Sequence, residues 1–119
     1  KGCEVNVLLA SNEQIKKLNK KYRKINKVTN VLAFSHKFTE LYQRKKKLLF
    51  LGDIALSLDK IRSEAENQSK KFENHLMHIV MHGFMHLLGF DHKNAKESEI
   101  MEDKEKYLLS KLSIADPYI

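Results

Sequence analysis

His82-Gly83-Phe84-Met85-His86-Leu87-Leu88-Gly89-Phe90-Asp91-His92 sets three imidazoles in the spacing of a tridentate metal site. His82 and His86 are four residues apart, so on a helix their rings share one face, with roughly 5–6 Å between Cβ atoms. Gly89 then stops the helix, because without a Cβ it adopts positive φ at little cost. The returning chain brings His92 toward the same ion as a third ligand. Three protein ligands leave one coordination position for water or substrate, the arrangement of a catalytic zinc rather than a closed structural one. Imidazole chemistry favours zinc over iron, nickel or copper without deciding between them.

The same spacing is that of the metzincin peptidases, except that Gly83 stands where their catalytic Glu belongs. Such a peptidase needs the carboxylate as general base, so this chain keeps the metal site and lacks that proton-transfer group. The stretch from Phe72 to Leu88 reads as the metal-bearing helix, apolar almost all round apart from its histidine stripe, and therefore buried. Buried imidazoles are costly unless bonded or ligated, which strengthens the metal reading. His75 and His78 continue the stripe one and two turns earlier, as supporting, pocket-lining or simply buried residues. His36 has no identifiable ligand partner.

Outward from this helix, Glu4 to Leu9 reads as a strand. Ser11 caps a helix, Gln14 completes a capping box, and Ile15, Leu18, Tyr22 and Ile25 form the buried stripe. Val28–Phe34 and Leu48–Leu58 read as strands joined by a hairpin or a longer-range pairing. Ser57–Gln68 is helical. Ala95–Leu112 reads as an amphipathic helix with Ile100, Met101, Tyr107, Leu108 and Leu112 facing inward, followed by a tail from Asp116. Asp53, in an otherwise apolar strand, is expected as a hydrogen-bonded anchor or a support near the metal. No repeat, linker or low-complexity segment appears, so residues 1–119 are expected to form one α+β domain, a small mixed β-sheet packed with helices around the central metal-binding helix.

At 119 residues the chain has room for one core and not two. The lone Cys3 cannot form an internal disulfide, no disulfide-linked partner is expected, and a reducing compartment fits. No apolar run approaches the roughly 20 residues that span a bilayer. No signal-type segment opens the sequence, so a soluble, cytoplasmic protein is expected. The sequence starts at Lys1 rather than Met, which leaves residues upstream, or a removed leader, open. Twenty-two Lys and Arg against fifteen Asp and Glu give a formal charge of +7. The excess crowds Lys16 to Lys27, Arg44-Lys45-Lys46-Lys47 and Lys70-Lys71, a field that attracts polyanions. Each run alone reads more readily as a solvated helix face or hairpin tip. Beside a hydrolytic-looking metal site they favour a phosphate-bearing substrate, and without Trp, stacking on bases is not strongly expected.

These residues resemble the YbeY proteins, bacterial endoribonucleases and rRNA maturation factors. The resemblance rests on His82-Gly83-x-x-His86-Leu87-x-Gly89-Phe90-Asp91-His92, on Leu51-Gly52-Asp53-Ile54, on Tyr22-Arg23, on Thr29-Asn30-Val31-Leu32-Ala33-Phe34 and on Asp116-Pro117-Tyr118, in that family's order. It implies a zinc ion on His82, His86 and His92. It also implies cleavage of single-stranded RNA, maturation of the small-subunit rRNA 3′ end and ribosome quality control, with RNA and the ribosomal small subunit as partners. Arg23 fits a family arginine regarded as functional, whereas on residue type alone it is one more solvated cation of a lysine-rich face. The chain departs from the family's Ser-Phe-Pro at Ala33-Phe34-Ser35-His36.

A zinc ion on three neutral imidazoles keeps its full charge, and can acidify water and polarise a phosphoryl oxygen. A metal-dependent hydrolase, an endoribonuclease acting on phosphodiester bonds, is therefore the leading expectation. The rival is a non-catalytic assembly factor whose zinc stabilises the fold and whose basic faces hold RNA. Asp91 either orients His92, acts as a base or caps the turn.

Overall fold

The computed structural model describes residues 3–35, 49–90, 93–112, 114 and 116–118. The chain runs β1 (Cys3–Ala10), α1 (Asn12–Arg23), β2 (Val31–Ser35), β3 (Leu49–Ser57), α2 (Leu58–Asn67), α3 (Phe72–Leu87) and α4 (Ala95–Lys111). Among the described residues the α+β architecture is a three-stranded mixed sheet with four helices. β3 is central, parallel to β1 and antiparallel to β2. His36, the Arg44–Lys47 run, Asp91 and His92 lie outside the described residues.

Side chains of a strand alternate faces, and here each face has its own core. Ile54 and Leu56 of β3 join Ile61 of α2 and Ile79 and Leu87 of α3, with Val31 and Ala33 packed against them. On the other face Leu32 and Ala55 meet Ile15 of α1, with Leu18, Val28 and Phe34 beside them. Ile54, Ile61 and Ile15 are at most 1% exposed. Truncating any of them to Ala costs about 2–5 kcal/mol.

The helix starts follow local chemistry. The Ser11 hydroxyl accepts from the Gln14 amide at 3.1 Å while the Gln14 side chain accepts from the Ser11 amide at 3.0 Å. Ser57 caps α2 through Lys60 at 3.1 Å, and Asn94 caps α4 through Glu97 at 2.9 Å.

Two expected stripes shift. In α1, Ile15 is buried, but Tyr22 and Ile25 are exposed and Asn19 is buried in their stead, its Nδ2 donating 3.0 Å to the Lys27 carbonyl. Lys24 turns to φ 59°, ending the helix, so Ile25 never lies on it. In α4 the buried side chains are Met101, Glu105 and Leu109, while Ile100, Tyr107 and Leu112 are exposed. β2 begins at Val31, not Val28.

Gly83 decides how closely α3 rides on the sheet. A Cβ there would stand 3.1 Å from Val31 Cγ2 and 3.2 Å from Ile54 Cγ2. Position 83 faces the core, so the residue that supplies a base in metzincins here supplies clearance. Among the described residues no helix is long and apolar enough to cross a membrane.

Candidate metal centre

One helical turn brings His82 and His86 together, with their Nε2 atoms 3.2 Å apart. The end of α3 fixes the second ring. Gly89 takes φ 101°, its amide donates to the His86 carbonyl at 3.0 Å, and the Phe90 amide donates to the Met85 carbonyl at 3.1 Å. This paired closure is a Schellman turn, and no Cβ could follow that backbone without strain. The turn aims the Phe90 carbonyl at His86 Nδ1, 3.0 Å away.

Glu105 fixes the first ring. It reaches from α4 into the interior, is 0% exposed, and places Oε2 2.9 Å from His82 Nδ1. Its other oxygen accepts from the Tyr118 hydroxyl at 2.5 Å and lies 3.3 Å from His78 Nε2. Burial pushes the Glu105 carboxyl upward, but the hydrogen bonds from His78, His82 and Tyr118 outweigh it and hold the group at about 2. It is therefore a carboxylate that only accepts. Burial, then the bond to Glu105, push the Tyr118 phenol upward, so it stays a donor.

These partners set the tautomers. A carboxylate and a carbonyl can only accept, so each Nδ1 carries a proton, and in that neutral tautomer the lone pair is on Nε2. Two lone pairs 3.2 Å apart repel one another, and either a metal ion or one shared proton between them relieves the repulsion. Four-coordinate zinc with bonds of about 2.0–2.1 Å places adjacent nitrogens about 3.3 Å apart. The residues present thus fit a metal ion. His78, His82 and Glu105 also bring one ligand atom each within 4.8 Å, and that group could hold a metal ion. Within that group His78 Nε2 and His82 Nδ1 already bond the two Glu105 oxygens, whereas the His82–His86 pair meets through its Nε2 atoms with both Nδ1 contacts in place.

Both rings open on a cavity of about 670 Å³ whose walls include Arg23, Asn30, Val31, His78 and Tyr118. Arg23 ends α1 with its side chain in solvent and reaches the mouth of this cavity. His75 is only 4% exposed and bonds Glu64 at 3.0 Å, which in turn accepts from Asn30 Nδ2 at 3.0 Å. It thus pins the start of β2 to α2 and α3 rather than facing an ion. Asp53 lies on the α1 face of the sheet, in a groove with Tyr22 and Phe34, opposite the face on which α3 packs. Glu105 and Tyr118 were missed as site residues by sequence reasoning. The available signal was the i, i+4, i+8 spacing of Met101, Glu105 and Leu109.

A family model described as Endoribonuclease YbeY matches residues 1–113. A protein of Rhodopseudomonas palustris named Endoribonuclease YbeY is 42% identical over 117 residues, 98% of this chain and 61% of its own length. One of the same name from Francisella tularensis subsp. novicida is 40% identical over 117 residues, 98% of this chain and 72% of its own. This chain thus spans 61–72% of the length of those two relatives. A solution structure from Thermotoga maritima is similar with a TM-score of 0.59 and 32% identity, over 88% of this chain and 65% of that one.

Proposed function

The chain belongs to the Endoribonuclease YbeY family, and from that premise we propose that it is a zinc-dependent endoribonuclease that cuts single-stranded RNA. Small-subunit rRNA 3′-end maturation and ribosome quality control are its roles in this proposal, in the cytoplasm and with the ribosomal small subunit as partner. The observation that carries it is the pair of Nε2 atoms 3.2 Å apart on rings whose Nδ1 protons are already committed. His82 and His86 are two of the ligands in this reading. His92 is the third, on its spacing beyond Gly89.

When bound, the metal supplies Lewis acidity, lowering the pKa of a water toward about 7 and polarising a phosphoryl oxygen. The chain does the rest. Glu105 and the Phe90 carbonyl hold the two rings in the Nδ1–H tautomer, and an ionised carboxylate behind His82 raises its basicity as a ligand. Arg23, at the mouth of the same cavity, presents a planar fork suited to the charge that builds on phosphorus. His78 turns its Nε2 to Glu105 and Tyr118. That orientation favours a site open to water over the closed zinc of a purely structural factor.

The test is metal content and RNA cleavage in the wild type and in His86→Ala. The wild type is expected to hold about one zinc per chain and to cut single-stranded RNA, and the variant to lose most of both. Undiminished metal in the variant would sink the ligand assignment.

A further inference from the structure

Beside the histidines, one wall of the cavity is β2, at Val31, Leu32 and Ala33, and Leu32, whose side chain packs on the other face of the sheet, meets it through its main chain. Among the described residues β2 is an edge strand, bonded on one side only, to β3. In an antiparallel ladder, alternate residues turn both main-chain groups toward the partner and the intervening ones turn both away. Two contacts fix the parity. The Asn30 carbonyl accepts from the Ser57 amide at 3.0 Å, and the Phe34 carbonyl points so squarely at β3 that a Cβ on Gly52 would stand 2.1 Å from its oxygen. Asn30, Leu32 and Phe34 therefore bond inward. Val31 and Ala33 turn an N–H and a C=O each toward the open side, about 6.8 Å apart along the strand.

We propose that this edge is the docking rail for the substrate strand. The proposal rests on the endoribonuclease reading. Single-stranded RNA lies along β2, its phosphate oxygens accepting from the amides of Val31 and Ala33 and its ribose 2′-hydroxyls donating to their carbonyls. The occupant is chosen by charge, because Arg23 shares the cavity and Lys20, Lys21 and Lys24 stand exposed at the same end of α1. The carbonyls discriminate between nucleic acids, since only RNA offers a 2′-hydroxyl donor. The rail is stiff at its start, where the Glu64 carboxylate bonds the Asn30 side chain and His75 backs Glu64.

Ala33→Pro removes one outward amide and no ladder bond, a substitution that edge strands tolerate. The ligand is an RNA oligonucleotide with phosphorothioate linkages, which keeps the 2′-hydroxyls and resists hydrolysis. Zinc-loaded Ala33→Pro should bind it roughly 10- to 100-fold more weakly than the wild type, the range for one hydrogen bond to a charged acceptor. Amide hydrogen exchange in the wild type needs no variant. RNA should slow exchange at Val31 and Ala33, while Leu32 and Phe34 are slow with or without it. DNA of the same sequence should bind more weakly than the RNA. Unchanged exchange at Val31 and Ala33 in the presence of bound RNA overturns the rail and leaves the ribonuclease reading standing. Protection of those amides by an extended peptide but not by RNA overturns it in favour of a peptide ligand. A wild type that neither binds nor cuts RNA removes both readings together.

Discussion

Glu105 Oε2 lies 2.9 Å from His82 Nδ1, joining a carboxylate of α4 to a histidine of α3. This contact ties the last helix to the histidine pair, and it predicts the behaviour of Glu105→Gln. The amide keeps the shape but puts a neutral group where the imidazole needs a strong acceptor. Zinc affinity should fall about 10- to 100-fold, read by competition with a chelator at neutral pH. An unchanged affinity would mean that the ring is oriented by packing alone.

The same residue predicts an acid limb in stability. Its carboxyl falls from an ordinary 4.5 to about 2 in the folded protein. A depressed folded value contributes stability that is fully present above the unfolded value, and this is lost as pH falls from about 4.5 toward about 2. The shift corresponds to about 3 kcal/mol. Urea unfolding of chelator-treated protein should therefore show the wild type losing more stability than Glu105→Gln between about pH 5 and about pH 3. Parallel losses in the two proteins would contradict it.

Much of this centre was legible in the sequence. The i, i+4 register of His82 and His86 and the Gly89 stop are local geometry, and they appear as expected on α3. The sheet and the helix starts were legible for the same reason. Glu105 was not, because it sits among Glu97, Glu99, Glu102 and Asp103, and composition cannot tell a buried carboxylate from solvated ones. Tyr118 depends on where the tail returns, a long-range outcome with no local pattern. The α1 stripe failed where Lys24 left the helix and Asn19 found a main-chain partner inside.

Arg23 and Lys24 are neighbours at the end of α1, but only Arg23 lines the histidine cavity. Arg23→Ala should lower single-turnover RNA cleavage by roughly 10²-fold or more at matched zinc content, the order for losing one transition-state donor. Lys24→Ala should change the rate by only a small factor. Equal rates for the two variants would return Arg23 to the solvated cations.

Gly89 tests the turn. A Cβ there meets nothing within 4 Å, so the cost of Gly89→Ala comes from φ 101° alone. We expect a loss of about 1–2 kcal/mol in stability, and weaker zinc binding because the Phe90 carbonyl shifts away from His86. Calorimetry and chelator competition on one preparation read both, and a loss of stability with full zinc affinity would free His86 from the turn.

The clearance at Gly83 also bears on how such helices diversify. Writing a glutamate into position 83 recreates the peptidase motif on paper, yet its Cβ alone would stand 3.1 Å from Val31 Cγ2 and 3.2 Å from Ile54 Cγ2, and both would have to give way. Room for it demands trimming β2 and β3 at the same time, and each trim weakens the core that holds α3 in place. Two activities that differ by one letter of a motif are therefore separated by more than that letter, because Val31 and Ile54 must change their packing with it.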